Sequence, residues 1–126
     1  MPDATFPPAM RIRKRTEFER VYALKTKAAD GVLLLFAAKR SELTTRIGLS
    51  VSKKHGGAII RNQLKRLLRE AFRLEQHQLP PTLDLIAIPL SAERASLAAY
   101  RQSLVHLARR LAKRLDRPPP VPDAQP

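Results

Sequence analysis

Lys65, Arg69 and Arg73 stand at i, i+4 and i+8, with Arg61, Asn62 and Arg66 beside them. On a helix turning about 100° per residue they form one cationic stripe. Ile60, Leu64, Leu67, Leu68 and Ala71 form an apolar stripe, with Phe72 at its edge. Like charges one turn apart repel when nothing pairs them, and Glu70 and Glu75 are only partial partners. Such a row suits a polyanion, because a guanidinium fork grips phosphate with two bonds and stacks on bases. Lys53 and Lys54 come just before it, beside Gly56 and Gly57, where glycine lets backbone approach a phosphate closely. The chemistry on offer is charge neutralisation rather than bond making. No Ser/His/Asp set, paired carboxylates or Walker-type loop accompanies the row. Asp30, Asp84 and Glu93 read as turn, strand-end and helix-cap residues, and His55 and His106 as solvent-exposed. With His77 the histidines show no metal-ligand spacing, so neither a metal site nor a catalytic protein residue is expected.

The bulk composition agrees. Lys and Arg number 24 against 11 acids in 126 residues, a net charge of +13 and a pI near 11.3. One domain of this length with that excess favours nucleic acid or an anionic membrane. A membrane is disfavoured, since no apolar run approaches the ~18 residues of a spanning helix and no export segment opens the chain. Cysteine is absent, so there is no disulfide framework or thiolate site, as suits a cytoplasmic protein.

The elements that must position these side chains follow from periodicity. Residues 1–10 and the proline-rich 116–126 read as tails around a body at 11–115. Thr16 is the expected N-cap of a short helix with Glu17 and Glu19 in its first turn and Phe18, Val21 and Tyr22 on one face. Residues 32–38 form a buried strand. Residues 46–52 alternate, Ile47, Leu49 and Val51 one way and Arg46, Gly48, Ser50 and Ser52 the other. That second face lacks bulk and leaves room for a ligand. The long helix spans about 58–76, and Pro80-Pro81 closes the linker after it. A third strand covers 83–88. Ser91 is the expected cap, with Glu93 in the first turn, of a last helix reaching Leu115, cored by Leu97, Leu104, Ala108, Leu111 and Leu115. On it Arg109, Lys113 and Arg117 make a second basic row. The order predicts a small α/β sandwich.

Lys53-Lys54, the glycine loop and Arg61-Asn62-x-x-Lys65-Arg66-x-x-Arg69-Glu70 resemble the signature of the bacterial ribonuclease P protein subunit. Residues 11–22 (RIRKRTEFERVY) and 46–54 (RIGLSVSKK) resemble its basic N-terminus with first helix and its central strand, and the likeness covers about 11–113. It implies an α+β sandwich of ribosomal-protein type, a small mixed sheet with helices packed on it and a left-handed βαβ crossover where chain rules favour the right-handed one. It implies a protein that assists a catalytic RNA in removing the 5′ leader of precursor tRNA, with Mg2+ bound mainly by the RNA. The implied RNA-subunit contacts are Lys54, Arg61, Asn62, Lys65, Arg66, Arg69 and Arg73. The implied leader contacts are Arg13, Phe18, Tyr22, Phe36, Ser50, Ser52 and Lys53. Partners are then the RNA subunit and precursor tRNA, with no membrane and no obligate protein. Two positions depart from the pattern: Gln63 stands where many members carry arginine, and segment 32–36 lacks a tyrosine that Phe36 would replace. The rivals are a general RNA chaperone, a DNA-binding regulator using the basic helix in a major groove, and a protein-only nuclease.

Overall fold

A computed structural model describes residues 8–116. Helix α1 spans Arg15–Ala23, strand β1 Lys27–Ala29, β2 Leu33–Lys39, β3 Arg46–Leu49, helix α2 Ala58–Glu75, β4 Leu83–Pro89 and α3 Leu97–Asp116. The sheet order is β1-β2-β4-β3. The β1/β2 and β2/β4 pairs are antiparallel and β3/β4 is parallel, so β3, α2 and β4 form a βαβ unit. This is a mixed-sheet α+β fold. Of the expected tails, 1–7 and 117–126 lie outside the described residues. Pro8–Met10 make a 3-10 turn, and Met10 packs on the core.

The alternation of β4 divides the molecule into two layers. Leu83, Leu85 and Ala87, with Leu33, Leu35, Ala37 and Ile47, bury one face under Leu64, Leu68 and Phe72 of α2 and Tyr100, Leu104 and Leu111 of α3. Asp84, Ile86 and Ile88 turn the other way. There Ile86, Ile88, Ala38 and Phe36 meet Phe18, Val21 and Tyr22 of α1. Each buried Leu or Phe contributes about 1.5–3 kcal/mol, so the larger layer carries most of the stability.

Several local expectations are corrected. The first turn of α1 closes on Lys14, whose carbonyl accepts the N–H of Glu17 (3.0 Å) and Phe18 (3.2 Å). Thr16 therefore lies inside the helix and is not its cap. Helix α3 is capped by Ser96, whose Oγ accepts the Ala99 N–H at 3.0 Å. Ser91 and Glu93 belong to the preceding turns. Strand β1 was not foreseen; pairing with β2 defines it. Phe72 is fully buried rather than marginal, and Ile60, expected in the apolar stripe, is 43% exposed. Its side chain folds over Gly56, whose φ of 136° suits a residue without Cβ.

Asp30 is the turn residue it was read as. Its Oδ1 accepts the N–H of Val32 (2.8 Å) and Leu33 (2.9 Å), and its Oδ2 accepts Ser103 Oγ (2.7 Å), tying the β1–β2 hairpin to α3. Asp84 is more than a strand-end residue. It is fully buried, and Arg46 grips it with two bonds, Nε–Oδ1 2.8 Å and Nη2–Oδ2 2.9 Å. Arg20 of α1 also bonds it, and Arg40 Nε lies 3.6 Å from Oδ1. Arg46 reaches on to Glu17 Oε2 at 2.9 Å and Arg40 to Glu42 at 2.6 Å. Three cations and three carboxylates thus balance between α1 and the sheet.

The Arg46 hydrogen bond holds the Glu17 carboxyl below its ordinary value of 4.5. The unfolded chain takes up that proton more readily, so the contribution is complete above the ordinary value and fades as pH falls through the lowered one. In thermal melts, Glu17→Gln is expected to lower the transition temperature at neutral pH and to flatten the acid limb below 4.5. A variant with the wild-type acid slope would show that Glu17 is not linked to folding.

Candidate RNA interface

The chain before α1 runs beside β3. Arg11 bridges Ile47 in parallel, and the Ile12 N–H donates to the Ile47 carbonyl at 2.9 Å. Ile12 is buried on the α1 side, within reach of Gly48. Alternation turns its neighbours towards α2. There Arg11, Arg13, Lys65 and Arg69 line a cavity of about 240 Å³ backed by Ile47 and Leu49, with no acid on its wall. Arg13, expected among the leader contacts, thus lies beside the α2 cations Lys65 and Arg69. Arg11 was not singled out, although the Arg-Ile-Arg alternation at 11–13 was a usable signal.

Along α2, Asn62, Gln63, Arg66 and Arg69 are exposed and Lys65 is half-buried. Arg61 is half-buried as well, and its Nε is buried without a hydrogen-bond partner. Arg73 departs from the row: it is held by Glu70, Nε–Oε1 2.9 Å and Nη2–Oε2 2.5 Å. Lys53 and Lys54 are exposed on the 3-10 turn Lys53–His55, and Gly57 enters α2 without a side-chain cap. His55 is not the free surface histidine expected. Its Nδ1 accepts the Ser52 N–H (2.9 Å) and its Nε2 donates to the Pro89 carbonyl (2.8 Å), which specifies the Nε2–H tautomer. It pins the lysine turn to the end of β4.

On the other face Phe18, Tyr22 and Phe36 form a half-buried row. Centroids of Phe18 and Tyr22 are 6.3 Å apart, and Tyr22 meets Phe36 edge-on at 4.9 Å. Lys27 Nζ stands 5.6 Å over the Phe36 ring. Phe36 therefore shares the aromatic row. The bare strip around Gly48, expected to admit a ligand, is filled by the protein itself: a Cβ there would fall 2.7 Å from Phe18 Cζ. Ser50 is half-buried and its N–H donates to the Ala87 carbonyl at 3.0 Å. The Ser52 side chain is exposed.

Among the described residues no three His, Asp or Glu gather as metal ligands. Glu17, Asp84 and Glu70 each face a guanidinium. No described helix is long and apolar enough to cross a membrane.

A mixed-sheet sandwich with an acid-free cationic pocket at one edge and an aromatic row on the opposite face is an RNA-binding α+β domain. Residues 6–112 match the ribonuclease P family, and the chain belongs to it. The ribonuclease P protein component of Brevibacillus brevis is 38% identical over 102 residues, covering 79% of this chain and 81% of its own. That of Desulfovibrio desulfuricans is 37% identical over 114 residues, covering 86% and 88%. The ribonuclease P protein of Thermotoga maritima superposes with a TM-score of 0.72 at 28% identity, covering 79% of this chain and 96% of its own. That of Staphylococcus aureus gives 0.70 at 30%, covering 82% and 95%. The family serves in maturation of tRNA 5′ ends, as part of a ribonuclease complex.

Because Phe18 fills the space over Gly48, Gly48→Ala should push the ring outward and cost about 1–3 kcal/mol in urea unfolding. Adding Phe18→Leu should recover part of that loss. If Gly48→Ala alone unfolds at the wild-type midpoint, the ring does not press on the strand.

Proposed function

We propose that this chain is the RNA-binding subunit of a ribonucleoprotein in which the RNA cleaves precursor tRNA. The observation that carries the proposal is the cavity that Arg11, Arg13, Lys65 and Arg69 line together, with no acid among its lining residues. Four cations around one small cavity with no acid on its wall raise the folded state's electrostatic energy, and RNA phosphates would neutralise them. Arg61, Asn62, Arg66 and Lys54 extend that surface towards the uncapped start of α2, where free N–H groups favour anions. These residues take the RNA subunit, and Arg73, already paired with Glu70, contributes least. Gln63 keeps a hydrogen-bonding amide but no charge.

The single-stranded leader is assigned to the α1 side. Phe18, Tyr22 and Phe36 offer stacking surfaces, and Lys27 adds a cation over Phe36. Lys53, Ser50 and Ser52 border the sheet end on that path. Magnesium is assigned to RNA phosphates, brought together by the neutralised backbone, and the work to the cytoplasm. Removal of the divalent ion would then stop cleavage without unfolding the protein. A general RNA chaperone would share the cationic pocket but gain nothing from a precursor over mature tRNA.

Lys65→Glu with Arg69→Glu should weaken binding to the RNA subunit and reduce the log–log salt slope by about two units, near 0.9 per phosphate contact. Filter binding across a salt series measures both, and an unchanged slope removes this pocket from the interface. Phe18→Ala with Tyr22→Ala should cost the holoenzyme at least about 30-fold in affinity for leader-bearing precursor, at about 1–3 kcal/mol for each of two stacked bases. Mature tRNA should bind as before. Equal losses for both RNAs would instead indicate damaged assembly.

A further inference from the structure

The second basic row is not used by either surface above. Within Leu97–Asp116 the only acid is Asp116, and Lys39 Nζ pairs with it at 2.6 Å. Arg109, Arg110, Lys113 and Arg114 are all exposed. Arg117, which sequence spacing added to the row, lies outside the described residues. Arg109–Lys113 and Arg110–Arg114 are like-charge pairs one turn apart, an arrangement that repels.

Two of these guanidiniums are already oriented, yet by neutral groups. Arg109 Nη2 donates to the carbonyl (3.2 Å) and Oε1 (3.1 Å) of Gln78. Arg114 Nη1 donates to the Lys27 carbonyl at 2.8 Å. A carbonyl fixes the fork without cancelling its charge, and most of its five donors remain available. Arg46, by contrast, is neutralised by Asp84 and Glu17. Arg110 and Lys113 have no hydrogen-bond or ion-pair partner among the described residues. Beside Arg109 an open groove of about 920 Å³ runs between α3 and the end of α2, with Gln102, His106 and Val105 on its wall, and its one acid, Glu75, is held by Arg101 at 2.5 Å. The pre-oriented, unneutralised arginines beside this groove fit a sugar–phosphate backbone.

The sheet order keeps this row away from the first cationic surface. Arg114 bonds β1, whereas Lys65 and Arg69 face Ile47 and Leu49 of β3. Those strands are the two edges of the sheet, three interstrand steps or about 14 Å apart. The aromatic row is on the opposite face. We infer that the α3 row, centred on Arg109, Arg110, Lys113 and Arg114, docks a second helical segment of the RNA subunit, so that the protein clamps two RNA segments across its sheet. The RNA subunit is the chosen source because α3 shares its sheet face with α2 and not with the leader row.

The inference rests on α2 being the first RNA-subunit surface, and the test separates the two. Full-length Arg110→Glu with Lys113→Glu removes no internal bond and should leave the melting curve unchanged. Its affinity for the RNA subunit should fall about tenfold at ~0.15 M salt, with the salt slope reduced by roughly two units. The holoenzyme's preference for precursor over mature tRNA should persist. Wild-type affinity and slope in this variant, with losses in Lys65→Glu/Arg69→Glu, would overturn the second surface and keep the first. Normal binding by both variants would overturn the proposed interface as well. A loss confined to precursor tRNA would assign the row to the substrate and reject the clamp.

Discussion

A net charge of +13 on 126 residues has to be held in one compact body, and the molecule does so by sorting its cations. The arginines that the fold needs inside are matched: Arg20, Arg40 and Arg46 converge on Asp84, with Glu17 and Glu42 completing the balance. Replacing such a cluster by apolar packing can be neutral, whereas removing one partner costs about 3–5 kcal/mol through the charge left behind. Asp84 is therefore the point at which charge and packing meet. It fastens α1 to the sheet, and with α1 the ring of Phe18.

The cations left over are displaced to the sheet edges, where mutual repulsion is least and solvent screens it. Beta-strand alternation does the sorting. At 11–13 it sends Ile12 to the α1 layer and Arg11 and Arg13 to the α2 side. In β4 it sends Asp84 to α1 and Leu83 and Leu85 to the main core. One rule of period two thus fixes which layer is held by charge and which by apolar burial.

Legibility in the sequence followed the range of the interactions. The α2 stripes, the strands near 33–39, 46–49 and 83–89 and the α3 core were visible because each repeats within a few residues. The basic surface on α2 was visible for the same reason. Asp84 was not, since its partner Arg20 is 64 positions away and Arg46 is 38. His55 finds Pro89 at a separation of 34. Strand β1 has three residues, two of them alanine, and only its pairing with β2 makes it a strand. The strip around Gly48 misled for a related reason: absence of bulk on a strand marks a close approach, and the approaching group was the protein's own Phe18.

A chain built this way couples its stability to its ligand. A domain of this size buries only about two-thirds of its unfolded surface, and the cations held near one another in the folded state repel less when the chain expands. Any polyanion that binds the folded arrangement better than the expanded one adds stability by linkage, RT ln(1 + [L]/Kd). Cations already paired inside, such as Arg46, gain nothing from that ligand. Those at the edges gain most, and they do so together, because each phosphate that settles beside Arg69 or Arg109 lowers the repulsion felt by the rest. In the proposed complex, folding and RNA assembly are then coupled electrostatically, with Asp84 fixing the frame on which the edge charges are displayed.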